Sequence, residues 1–209
     1  MMSMDADSMT RYWGGERGLA HQTPPRKDPE GFDPGAYMAR QFFAGPVLEF
    51  GCGAGRLAGA FLSSGIGYGG VDVSERAIAK ARETHSAHAD RFEVVRYNGP
   101  IPFRAPDGFA YTVLLHVPDE LLPGAVARIS EAVLRRFVVA EILGRHWRIP
   151  GQVDPPVFNR EAHEYVEAFE AAGWRFSEMR SRRYEYYRGR GPGGLDEMIA
   201  FLVFDRAAS

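Results

Sequence analysis

The chain has 209 residues, 45% of them hydrophobic, which is enough for one sizeable core and too little for two ordinary enzyme domains. A formal net charge of -2 gives no global pull toward nucleic acid or an anionic membrane, so any such binding would need a local patch. Cys52 is the only cysteine, so no internal disulfide can form, and no apolar run approaches the roughly 20 residues that span a bilayer. Met1 to Asp7 lacks an apolar stretch of signal-peptide length. The expectation is a cytoplasmic monomer or homodimer, with nucleic acid an unlikely partner and without membrane or metal.

Residues 1–32 are polar and broken by Gly14, Gly15, Pro24, Pro25 and Gly31, and they read as an irregular arm ahead of a single domain over 33–209. Asp33 and Pro34 supply an N-cap and a first helical position for a short helix carrying Tyr37, Met38, Gln41 and Phe42. Short apolar runs then alternate with segments of helical spacing, the pattern of an α/β parallel sheet. Val47–Phe50 is the first strand, Arg56–Ser63 a helix, and Tyr68–Val73 the second strand. Ser74 caps a helix with Ala77, Ile78 and Ala81 on one side, and Phe92–Tyr97 is the third strand.

Ala110–Leu115 is the apolar run of a fourth strand, followed by a helix that buries Leu122, Val126, Ile129 and Val133. Phe137–Leu143 is the fifth strand. After a proline-rich loop, Asn159 caps a helix burying Ala162, Tyr165, Val166, Phe169 and Ala172, which Gly173 closes. Trp174–Tyr187 and Met198–Phe204 then form a final hairpin, which brings one antiparallel strand into the sheet.

Gly51, Gly53 and Gly55 follow a buried strand and open a helix, so the backbone can turn tightly and a ligand can lie against main-chain atoms. Their G-x-G-x-G spacing differs from the dinucleotide G-x-G-x-x-G, because Arg56 stands where the third glycine would fall. Glu49, at the carboxyl end of the strand, needs a partner when buried, either a cationic ligand or an arginine such as Arg56. Asp72 ends the second strand about 20 residues beyond the first glycine, where a carboxylate can accept from both hydroxyls of a ribose. Its other reading is a cap on the next helix, a task for which Ser74 is better placed.

These segments resemble the class I S-adenosylmethionine-dependent methyltransferases: VLEFGCGAG resembles the family's glycine motif and GVDVS its ribose-binding acidic motif. The resemblance runs from Val47 to Leu143. It implies a Rossmann-like seven-stranded, mostly parallel sheet with an antiparallel last strand and helices on both faces. It also implies an S-adenosyl-L-methionine cofactor contacted by Glu49, Gly51, Cys52, Gly53, Gly55, Asp72, Val73, Asn98 and Leu115. Asn98 departs from the family's usual aspartate near the adenine amino group, and Phe109-Ala110 from its usual Phe-Asp.

The ligand crevice of such a sheet lies where strand order reverses, which brings His116, after the fourth strand, toward the chemistry. An ordinary histidine titrates near pH ~6.5 and suits the role of base. Its competing reading is a histidine that packs beneath the cofactor. Glu141 and His146 are the other catalytic candidates. Tyr12, Trp13 and the loop Trp147–Phe158 are candidates for a cover that excludes water.

The expected function is methyl transfer to a small molecule, with oxygen favoured over nitrogen. The rivals are a non-catalytic S-adenosylmethionine-binding protein, a nucleotide-dependent oxidoreductase, and an RNA or protein methyltransferase. The arginines and tyrosines of 180–190 are the only support for the last, and a solvated edge is their more common reading.

Overall fold

Val47–Phe50 is buried at every position and forms β1, from which the sheet grows in both directions. The computed structural model describes residues 5–22, 32–144, 155–158, 160–183 and 198–206. On one side of β1 lie β2 (Tyr68–Asp72) and β3 (Phe92–Val94). On the other lie β4 (Ala105–Tyr111), β5 (Val133–Glu141) and a hairpin of β6 (Trp174–Arg183) and β7 (Met198–Arg206). Among the described residues the order is β3-β2-β1-β4-β5-β7-β6, seven strands, of which β7 runs opposite to the other six. This is the expected Rossmann-like, mostly parallel sheet with an antiparallel last strand.

Strands buried on both faces explain the nearly continuous apolar runs. One face is covered by α1 (Ala6–Gly14), α6 (Leu122–Ala132) and α7 (Ala162–Ala171), whose Met9, Val126, Ile129 and Phe169 join Leu48, Phe137 and Val139 in one core. The other face is covered by α3 (Pro34–Phe42), α4 (Ala58–Ser63) and α5 (Glu75–Thr84), where Met38, Phe61 and Ile78 meet Phe92, Phe109 and Val138. Two caps fall where expected: Asp33 Oδ1 accepts from the Ala36 N–H at 2.9 Å, and Ser74 Oγ from that of Ala77 at 3.2 Å. Asn159, the expected cap of α7, lies outside the described residues; Glu161 caps that helix in a reciprocal box with Glu164.

The arm is not irregular over its described part. Residues 6–14 form α1, capped by Asp5, and Glu16–Gln22 forms α2. The sequence signal was thin, since only Met9 and Trp13, one turn apart, mark the buried face. Burial against the rest of the protein overrides weak local patterning here.

The fourth strand also shifts, from the expected Ala110–Leu115 to Ala105–Tyr111. Pro106, Asp107 and Gly108 resemble a turn in sequence, yet Asp107 is fully buried and held by Arg135 of β5 at 2.9 and 2.5 Å. Gly108 permits the close approach of β1, because a Cβ there would come within 2.9 Å of the Leu48 carbonyl. The strand stops because Thr112 adopts φ of 52°, which turns the chain out of the sheet.

Candidate active site

The carboxyl ends of β1, β2, β4 and β5 open onto a cavity of about 410 Å³, where the strand order reverses between β1 and β4. Gly51, Cys52 and Gly53 line its floor. The N–H groups of Gly51 and Cys52 donate to the Val71 carbonyl at 2.8 and 3.0 Å, which folds the loop back over β2. Gly51 has φ of 77°, and a Cβ on it would lie 2.5 Å from a Val113 methyl, so glycine is required there on both counts.

Asp72 is buried at the rim of the cavity. Its Oδ2 accepts from the Gly53 N–H and its Oδ1 from the Ser74 N–H, each at 2.9 Å. Two backbone donors use about half of a carboxylate's four lone-pair sites, so acceptor capacity remains for a ligand. Burial raises its pKa above the ordinary value in spite of these donors.

Glu49 is also buried and lines the cavity, and the Tyr68 hydroxyl donates to its Oε2. Desolvation dominates its titration, outweighing the Tyr68 hydrogen bond and the Arg56 charge, and pushes the carboxyl from 4.5 up to about 8. Tyr68 is thus the hydrogen-bonding partner that was not anticipated. Arg56 lies with its guanidinium 5.2 Å from the centre of the Tyr111 ring.

Beyond Thr112, residues 114–116 form a single 3-10 turn that carries Leu115 and His116 into the cavity wall. His116 Nδ1 lies 2.6 Å from the Pro156 carbonyl. A carbonyl can only accept, so Nδ1 carries the proton, and in the neutral ring the lone pair sits on Nε2. The indole of Trp13 packs against the imidazole, with centroids 4.8 Å apart and planes tilted by 58°.

Residues 48–135 match a family model described as a methyltransferase domain. That segment holds the glycine loop, Asp72 and His116 together. Over that segment the chain is similar to a methyltransferase domain. No curated protein matches it by sequence. Among solved structures, magnesium protoporphyrin IX methyltransferase from Synechocystis PCC 6803 with bound S-adenosylmethionine is similar at 13% identity and a TM-score of 0.68, over 99% of this chain and 100% of that one. The CcbJ methyltransferase from Streptomyces caelestis is similar at 18% identity and 0.67, over 96% and 99%. The glycopeptide N-methyltransferase MtfA, complexed with the same cofactor, is similar at 15% and 0.61, over the full length of both. At these identities the likeness is one of fold.

Of the residues expected at the cofactor and catalytic sites, Glu49, Gly51, Cys52, Gly53, Asp72, Val73, Leu115 and His116 all line the cavity. Three do not meet there. Gly55 faces away: a Cβ on it would meet Ala81, His85 and Phe92 at 3.1 to 3.2 Å, so its place is in packing against α5. Asn98 is exposed on a turn, and its neighbour Tyr97 enters the cavity instead. Tyr97 keeps its hydroxyl buried without a hydrogen-bond partner. The strand after which this turn follows ends at Val94 rather than Tyr97, and that shift changes which side chain points inward.

Glu141 corrects a catalytic expectation. It is fully buried behind the His116 turn, where its Oε1 accepts from the N–H groups of Val113, Leu114 and Leu115 at 2.9, 2.7 and 3.3 Å. Its side chain is not among those lining the cavity. His146 lies outside the described residues.

Two cationic residues escaped the sequence reading. Arg128 of α6 lines the cavity with its guanidinium 5.7 and 5.8 Å from the Phe50 and Tyr97 rings, and burial lowers its pKa. Arg160 is buried to 1% exposure beside the His116 turn. Neither sits in a motif, and an arginine outside one gives no sequence signal of burial. In the arginine-rich region, Arg180 pairs with Glu178 and lies over Phe42, and Arg182 lies over Tyr37. These two arginines of β6, at the sheet edge, pack on aromatic rings of α3.

Proposed function

We propose that the chain transfers a methyl group from S-adenosylmethionine to a hydroxyl of a small molecule, with His116 as the base. The observation that carries this reading is the 2.6 Å contact of His116 Nδ1 with the Pro156 carbonyl, which assigns the acceptor role to Nε2 of a ring in the cavity wall. Methyl transfer to oxygen requires that the hydroxyl proton be removed, and Nε2 is the group that would take it as the oxygen attacks. S-adenosylmethionine supplies an electrophilic methyl carbon on a sulfonium. The residues do the positioning, which is the larger share of such a reaction. Asp72 would hold the ribose and Glu49 the cationic end, while Trp13 covers the His116 side against water.

The fit of the cofactor rests on Glu49. In a buried carboxyl pushed up to about 8 the Arg56 charge does not offset desolvation, and an ammonium or sulfonium would add to it. Because its pKa is raised on folding, the group contributes stability that is complete below about 4.5 and lost as pH rises through about 8. A bound cation reverses that preference. Cofactor binding near pH ~7 should therefore release a proton, and affinity should rise with pH across this window. Calorimetry in buffers of different ionisation enthalpy reads the release directly; binding without proton exchange would place the cation elsewhere.

The function itself is tested by incubating the protein with S-adenosylmethionine and a panel of small phenols, alcohols and amines, with mass spectrometry of the products. Methylated hydroxyl compounds are the expected result. Products only from amines would overturn the oxygen preference, and cofactor binding with no product from any acceptor would favour the non-catalytic rival.

A further inference from the structure

The His116 turn is held by two buried ionisable side chains from opposite sides. From beneath, Glu141 at the end of β5 takes the N–H groups of residues 113–115 on one oxygen. Arg160, just before α7, donates from Nη1 to the Leu114 carbonyl at 2.9 Å and from Nη2 to the Val117 carbonyl at 2.6 Å. Its Nη2 also lies 2.6 Å from Asp119 Oδ1. The remaining backbone groups are mostly taken as well: the N–H of His116 donates to Val113, that of Val117 to Leu114, and the Leu115 carbonyl accepts from Phe158.

We infer that Arg160 and Glu141 are positioning residues that fix the His116 imidazole in the cavity wall by gripping the peptide groups of residues 113–117 from both sides. Burying a guanidinium and a carboxyl is a poor route to stability, since apolar side chains of like volume usually serve as well. What the pair supplies is direction. A forked guanidinium sets two carbonyls at once, and a single carboxyl oxygen gathers three successive N–H groups, so the turn has one arrangement. The same turn carries His116 to the Pro156 carbonyl, which selects its tautomer.

The geometric part stands alone, whereas its consequence for turnover rests on the reading of His116 as the base. NMR of protein labelled at histidine separates the two, with the His116 signal identified by its loss in His116→Ala. Wild-type protein should show a single Nδ1–H tautomer above its titration. Arg160→Lys keeps the charge and loses the fork, and Glu141→Ala leaves three N–H groups without an acceptor. Each should mix the tautomers and lower kcat by about 10–100-fold with the cofactor dissociation constant nearly unchanged. Glu141→Gln keeps the acceptor oxygen and should restore both.

Variants that fold, keep one tautomer and turn over normally would overturn the inference. A tautomer change in the variants with full turnover in His116→Ala would leave the positioning intact and remove the base reading. Should the variants not fold, hydrogen exchange on the wild-type protein decides: the amides of 113–117 should be protected like those of β5, and exchange as fast as exposed loops would overturn the inference.

Discussion

His116→Ala should lower turnover by roughly 10²–10⁴-fold while S-adenosylmethionine binds almost as before, the range usual for loss of a positioned proton acceptor. The imidazole touches the Trp13 indole and the Pro156 carbonyl, and its loss leaves a gap on the cover side of the cavity rather than at the glycine loop. The measurement is kcat at saturating cofactor and acceptor, beside the cofactor dissociation constant from calorimetry. A raised dissociation constant with turnover at saturation intact would mean that the ring only packs there. His116→Gln is a useful companion, since its amide can occupy much of the space but cannot take the proton.

Asp72→Ala should weaken cofactor binding by about 1.5–3 kcal/mol, roughly a 10–150-fold rise in the dissociation constant. Two effects combine in it. The ribose would lose a charged acceptor, and the N–H groups of Gly53 and Ser74 would lose their buried partner. The second effect alone should lower stability by about 1–3 kcal/mol for each donor left unsatisfied, visible in denaturant unfolding without ligand. Calorimetry on the folded variant separates the two. Reduced stability with unchanged affinity would make Asp72 a brace for the glycine loop and nothing more.

How far the sequence reached is clearest at β1 and β2. Short, mostly apolar runs ending in Gly51-Cys52-Gly53 and in Asp72 specify a buried parallel pair with a tight turn and an acid at its carboxyl edge. Local chemistry alone dictates both, because few other residue types can make that turn or end that strand usefully. The helix caps at Asp33 and Ser74 were legible for the same reason, since each cap lies within three residues of the N–H it satisfies.

Where a partner lies far along the chain, the sequence was silent or misleading. Glu141 is an acid at the end of a strand like Glu49 and Asp72, and only the packing shows that it turns under the His116 loop, 26 to 28 residues earlier in the chain. Arg160 reaches carbonyls 43 and 46 residues away, and Trp13 of the first helix meets a histidine that follows the fourth strand. Asp107 passes for a turn residue until Arg135 is seen beside it. The strand-by-strand pattern and the glycine turn follow from local sterics and burial, which a short stretch of sequence encodes. Which buried charges face the ligand and which brace the backbone is decided by long-range pairing, where the cost of burial falls on whichever partner the fold brings within hydrogen-bond reach.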